Sequence, residues 1–203
     1  MHDMEFDHEH GALTEEEKAE IARYIWAQET VELKTVGIDI GSSTGGFTDC
    51  LLRHGAAKVT CVDAGTNQLD WRIRSDERVD IRENTNARYL KPTDFTSLFD
   101  LAVVDVSFIS VKKILPATVP LLRPAGKLVI LIKPQFEVGR GEVGKGGLVR
   151  ERDKHQRVVN EINEFAESLL LRVGGVIESP ITGAEGNKEF LAHYAKLRSD
   201  RRN

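Results

Sequence analysis

Short apolar runs alternate with amphipathic stretches from Thr35 almost to the end of this 203-residue chain. The apolar runs predict strands near residues 35–40, 58–63, 79–83, 100–105, 126–132 and 173–178, with a last one near 189–196. Helices are predicted between them over 45–54, 67–74, 110–121 and 152–170, and Arg123-Pro124-Ala125-Gly126 reads as a turn ahead of the fifth strand. Such alternation predicts an α/β fold, a mostly parallel, doubly wound sheet with helices on both faces. Residues 1–30 stand apart. They hold an acidic stretch with His2, His8 and His10, then a helix opening at Thr14 with Glu15 to Glu17 in its first turn. The chain thus divides into an acidic tail with an N-terminal helix over 1–30 and one domain over 31–203, long enough to bury a core.

Composition narrows the function classes. Lys and Arg number 28 against 32 Asp and Glu, a formal charge of −4, which argues against a whole surface built for nucleic acid but leaves room for a basic patch. Cys50 and Cys61 form no C-x-x-C pair, so core residues in a reducing compartment are expected. The three N-terminal histidines lack further ligands at a defined spacing, and no metal site is expected. With no signal-like start and no run of about 18 apolar residues, a soluble cytoplasmic protein with no membrane partner is expected.

The stretch richest in chemistry is V-G-I-D-I-G-S-S-T-G-G-F-T-D, Val36 to Asp49. It reads as a buried strand, a tight turn and a helix start, with Gly41, Gly45 and Gly46 where backbone must approach a ligand. A turn kept glycine-rich for packing alone is the plain alternative. The spacing is not the dinucleotide G-x-G-x-x-G, and it lacks the lysine of a phosphate loop. The pattern D-x-G-x-x-x-G-G resembles motif I of S-adenosylmethionine-dependent methyltransferases. Asp63, 24 positions after Asp39 and closing the second apolar run, stands where a Rossmann-like fold puts a carboxylate on ribose hydroxyls.

Further charged residues close later strands. Asp105 ends the fourth and Lys133 the fifth, at the sheet edge where ligands bind in open parallel sheets. A lysine closing an apolar strand needs a partner, and Asp105 on the neighbouring strand is the candidate. A helix cap at Asp105 and a purely structural ion pair are the alternatives. Glu189 opens the last strand, antiparallel to its neighbours, and is placed to point back at Lys133. Between Glu137 and Arg152 a glycine-rich basic segment almost spells a phosphate loop, but Gly146 replaces the required hydroxyl residue. Its Arg140, Lys145, Arg150 and Arg152, with Lys154 and Arg157 beyond, suit a phosphate-bearing substrate; a solvated surface loop is the alternative.

Together with D-I-G-S-S-T-G-G-F-T-D, the runs E-N-T-N-A-R-Y-L, V-V-D-V-S-F-I-S, I-K-P-Q-F-E and S-P-I-T-G-A-E-G-N-K-E-F-L resemble the TlyA family. This is the hemolysin A-like branch of FtsJ-type ribosomal RNA 2′-O-methyltransferases, and the resemblance covers roughly residues 36–197. It implies the Rossmann-like class I methyltransferase fold, a seven-stranded sheet in the order 3-2-1-4-5-7-6 with strand 7 antiparallel. It also implies S-adenosylmethionine held over Asp39, Gly41, Ser42, Ser43, Thr44, Gly45 and Gly46, with Asp63 on the ribose, Asn84 and Asn86 near the adenine, and Asp105 beside the cofactor. The family's Lys-Asp-Lys-Glu catalytic set maps onto Asp105, Lys133 and Glu189. The family's S-R-G-G-x-K-L segment, which carries the first lysine, and its S4 RNA-binding domain do not appear among these residues; Lys18, 21 positions before Asp39, is the candidate replacement. RNA, ribosomal RNA or ribosomal subunits above all, is the implied partner. A non-catalytic RNA- or ribosome-binding protein on the same fold is the rival expectation, and an enzyme acting on a small-molecule hydroxyl is another.

Overall fold

A computed structural model describes residues 34–139, 141–183 and 186–198. The predicted N-terminal helix with Lys18, and Arg140 of the basic segment, lie outside the described residues. Seven strands, β1 (Val36–Ile40), β2 (Lys58–Val62), β3 (Val79–Arg82), β4 (Phe99–Val104), β5 (Leu122–Ile132), β6 (Leu171–Glu178) and β7 (Phe190–Lys196), form one sheet. Its order is β3-β2-β1-β4-β5-β7-β6. The β1, β2, β3, β4 and β5 pairings are parallel, and β7 runs antiparallel to both β5 and β6. This is the predicted topology.

Alternating side chains build two cores. Ile38, Ile40, Ala102, Val104, Leu128, Ile130 and Ile132 face one side, with Val158, Ile162 and Ala166 of the long helix α5 (Arg152–Ser168). Val59, Cys61, Leu101, Val103, Val129 and Leu131 face the other, against Leu51 and Leu52 of α1 (Gly46–Arg53) and Ile73 of α2 (Trp71–Arg74). The central strands are therefore apolar on both faces, as parallel strands under two helical layers must be. Cys50 and Cys61 are buried and not joined in a disulfide, and burial pushes Cys61 up to about 12, so it is a packing residue rather than a nucleophile.

Three local expectations change. The predicted helix over 67–74 is a single turn, α2, because Asn67 is left-handed at φ 57 and the Asp70 side chain caps the turn by accepting from the Arg72 N–H. The predicted helix over 110–121 breaks into a 3₁₀ turn at Val111–Lys113, α3 (Leu115–Thr118) and another 3₁₀ turn at Val119–Leu121. Pro116 and Pro120 remove the amide donors a continuous helix needs. Arg123 to Gly126 does turn locally, with Ala125 at φ 63, but inside β5. There Leu122 to Lys127 opposes only Phe99 to Leu101, a bulge that lets the strand start early.

Candidate active site

The carboxyl ends of β1, β2, β4 and β5 carry the predicted site residues to one edge. Asp39 lies within β1, 1% exposed, and Thr48 Oγ1 of α1 donates to its Oδ2 at 2.7 Å. Its Oδ1 is buried without a hydrogen-bond partner. Burial, reinforced by the charges of Asp105 and Asp63 and opposed by Thr48, pushes the carboxyl up to about 7. A buried acceptor of that kind is built to meet a cation or a donor that the fold itself does not supply.

The glycine-rich turn is tightly tied. The Gly41 and Ser42 amides donate to the Val62 carbonyl at 2.8 and 3.3 Å, and Asp63 Oδ2 accepts from the Ser43 amide at 2.8 Å. Asp63 Oδ1 accepts from the Gly65 amide at 2.7 Å, so this carboxylate joins the turn after β1 to the turn after β2. Gly41 (φ 83) and Gly45 (φ 99) are needed for a reason other than ligand approach. A Cβ at Gly41 would collide with the Asp105 carbonyl oxygen, and one at Gly45 would crowd Leu69 and Ile73. Ser42 is buried, whereas Ser43 and Thr44 are exposed at the crest of the turn, and Gly46 is buried as the first residue of α1. Asn84, left-handed at φ 53, donates its amide to the Gly65 carbonyl at 2.9 Å and so joins the Asp63 corner. The Asn86 side-chain oxygen accepts from the Arg88 amide and Nε, both at 3.2 Å, which engages it in its own turn.

The second half is assembled on Lys133, whose side chain is 15% exposed. Its Nζ lies 2.7 Å from Asp105 Oδ1, a charge contact without the angle of a hydrogen bond, and donates to Ser107 Oγ at 3.1 Å. Glu189 is 5% exposed; burial raises its carboxyl, Asp105 adds to the rise, and Lys133 and Gln135 oppose it. Asp105, Lys133 and Glu189 thus share one electrostatic site, with Asp39 coupled through Asp105. Asp105 pairs with Lys133 rather than capping a helix.

One short turn, α4 (Pro134–Glu137), locks these pieces together, and its roles were not anticipated. Lys133 precedes it as its N-cap. Gln135 Nε2 donates to Glu189 Oε1 at 3.2 Å. The Phe136 ring lies 5.1 Å from that of Phe108. Glu137, whose carboxyl burial raises, accepts from Ser110 Oγ at 2.6 Å and from the Val111 amide at 2.7 Å. The loop after β4, which carries Ser107 and Phe108, is thereby clamped. Phe108 is 90% exposed and left-handed at φ 65, a strained conformation for an aromatic residue. The signal for these residues was present in the I-K-P-Q-F-E and V-V-D-V-S-F-I-S runs, but no single position in them announces a partner.

The basic segment sorts into two groups. Lys154 contacts Glu151 Oε1 at 2.8 Å and Arg157 contacts Glu142 Oε1 at 2.7 Å, so both are neutralised locally. Lys145, Arg150 and Arg152 are exposed. Among the described residues no group of three or more His, Cys, Asp or Glu is placed to hold a metal, and no helix is long and apolar enough to cross a membrane. The orphaned Asp39 oxygen and the Asp63 corner fit a ligand that carries both an ammonium group and a ribose, as S-adenosylmethionine does.

Residues 22–196 match the FtsJ-like methyltransferase family. The chain is 50% identical to Bacillus subtilis YqxC over 77% of its own length and 56% of that protein's. It is 40% identical to the Mycobacterium tuberculosis 16S/23S rRNA (cytidine-2′-O)-methyltransferase TlyA, over 93% of this chain and 73% of the relative. A solved Streptococcus thermophilus structure described as a hemolysin superposes with a TM-score of 0.84 at 47% identity, covering 89% of this chain and 65% of that one. The chain therefore spans little more than half of the Bacillus relative and about three quarters of the mycobacterial one.

Proposed function

We propose that this chain, which belongs to the FtsJ-like methyltransferase family and to its TlyA branch, transfers a methyl group from S-adenosylmethionine to a ribose 2′-hydroxyl of RNA. Ribosomal RNA is the substrate that the mycobacterial relative's named activity supports, and the cytoplasm is the compartment that goes with this reading. The observation that carries the reading is the largely buried Lys133 ammonium against Asp105 and in the field of Glu189, on the same sheet edge as the Asp39 and Asp63 corner.

S-adenosylmethionine supplies, when bound, a sulfonium methyl that is open to in-line attack by an oxygen nucleophile. Asp39, whose Oδ1 has no hydrogen-bond partner, would hold the ammonium end of the cofactor when it is bound. Asp63, fixed by the Ser43 and Gly65 amides, keeps lone pairs for ribose hydroxyls, and Asn84 borders the adenine side. For the acceptor, placement counts for most: holding two reactants in line supplies about 7–11 kcal/mol. Lys133, bracketed by two carboxylates, serves as a hydrogen-bond donor that orients the hydroxyl and stabilises the developing alkoxide. Phe108 offers its exposed face to the base of the acceptor nucleotide. Lys18, as the first lysine of the catalytic set, belongs to the proposal on sequence grounds alone.

Transfer of tritiated methyl to ribosomal subunits, with calorimetry of cofactor binding, tests the reading. Cofactor binding with methylated ribose in the product supports it; no binding at millimolar cofactor refutes it. Binding of RNA without methylation returns the non-catalytic alternative.

A further inference from the structure

A groove of about 600 Å³ lies beside the site, between the first turns of α5 and the end of the edge strand β6. Its floor is built by Val159, Val176, Phe190 and the buried His155, whose ring lies 5.6 Å from that of Phe190, and its rim carries Arg150, Arg152 and Gln156. The two arginines differ from the paired cations nearby. Lys154 and Arg157 are held by Glu151 and Glu142, and Lys188 on the far rim pairs with Glu178 at 2.7 Å. Arg150 and Arg152 are exposed and, among the described residues, neither guanidinium is in an ion pair.

The backbone that presents them is anchored. The Val149 amide donates to Asn187 Oδ1 at 3.0 Å, the Val149 carbonyl lies 2.7 Å from His155 Nε2, and Asn187 Nδ2 donates to the Gly147 carbonyl at 3.1 Å. The rim is thus pre-organised before any ligand arrives. The groove also reaches the strand end that Glu189 precedes. Phe190 in its floor follows Glu189 directly and pairs with Ile132, the residue before Lys133. Neighbouring strands stand about 4.8 Å apart, so β6 lies within about 10 Å of β5, the reach of an adjoining nucleotide.

We infer that this groove seats the nucleotide flanking the methylated ribose in a single-stranded stretch of the substrate, its base on the Val159, Val176 and Phe190 floor and its phosphates on Arg150 and Arg152. The inference rests on the RNA methyl-transfer reading above. A largely apolar floor under two unpaired guanidiniums matches a strand that presents flat bases and phosphates together, and a base face is accepted without regard to sequence.

The test uses the full chain, without methyl donor, and a short single-stranded oligouridylate carrying 4-thiouridine. Anisotropy across a salt series should show that Arg150→Ala with Arg152→Ala lowers the slope of log affinity against log salt by about 1.4, two phosphate contacts on a single strand. Gln156→Glu should weaken binding through the charge it brings to the rim, and Lys58→Ala, on β2 at the far side of the sheet, should leave the slope unchanged. Photocrosslinks should map to the peptides containing Val159, Val176 or Phe190. An unchanged slope in the double variant overturns the proposal. So do crosslinks that map elsewhere. Because these readouts need no turnover, a missing methyl transfer would count against the enzyme reading and leave the groove to be judged alone.

Discussion

The two halves of the proposed site are built in opposite ways. The cofactor half, from Asp39 through Asp63 to Gly65, lies within 27 consecutive residues and is held by backbone amides, so its geometry follows from a strand, a turn and the next strand. The acceptor half brings Asp105, Lys133 and Glu189 together from three strands and relies on side chains that meet across them. Local backbone makes a rigid cradle, whereas the acceptor side depends on α4 to keep its partners in register.

Substitutions should separate the halves. Lys133→Ala is expected to have the largest effect, a loss of at least about 10²–10³ in turnover, the scale of removing a preorganised donor from a developing oxyanion. Calorimetry should find cofactor affinity nearly unchanged. Equal loss of both would merge the two halves into one unit.

Asp39→Asn addresses the cofactor half and carries opposite signs for affinity and stability. Losing a charged acceptor should cost about 1.5–3 kcal/mol of cofactor binding. Stability follows the proton balance: the folded protein keeps Asp39 protonated to about 7 against an ordinary 3.8. The folded state therefore binds the extra proton between these values, and stability falls as pH rises through that window before levelling above it. Asp39→Asn removes the slope, so its melting temperature relative to wild type should rise between pH 5 and pH 8, which differential scanning fluorimetry of the cofactor-free protein reads. A parallel pH dependence in both proteins would contradict the assignment.

Glu137→Ala should cost about 1–3 kcal/mol of stability by leaving the Ser110 hydroxyl and Val111 amide without their acceptor. The KM for RNA should rise while cofactor affinity holds, and Glu137→Gln, which retains an acceptor, should recover part of both. The smallest effect belongs to Phe108→Gly. Glycine relieves the left-handed strain at φ 65, so thermal stability should be kept or raised by about 1 kcal/mol. The KM for RNA should rise severalfold, the scale of one lost base contact. Unchanged RNA kinetics would remove the aromatic from the acceptor half.

What the sequence alone determined follows from regularities with short reach. Alternating apolar runs specified seven strands, and the charged residues closing them marked the ligand edge, because strand ends in a parallel sheet point one way. That Asp39, Asp63, Asp105 and Lys133 gather at one edge was legible for that reason, and Glu189 joins them because β7 runs antiparallel. Helix lengths were less so: Pro116, Pro120 and the left-handed Asn67 overrode an apolar periodicity that favours continuous helices. Only the tertiary structure decided that Gly41 yields to the Asp105 carbonyl, that Arg157 and Lys154 are neutralised while Arg150 and Arg152 are not, and that Gln135 and Glu137 fasten two distant segments. The last of these depends on which groups meet at separations of 26 to 54 positions. A residue's type records that it can bond, and only packing selects its partner.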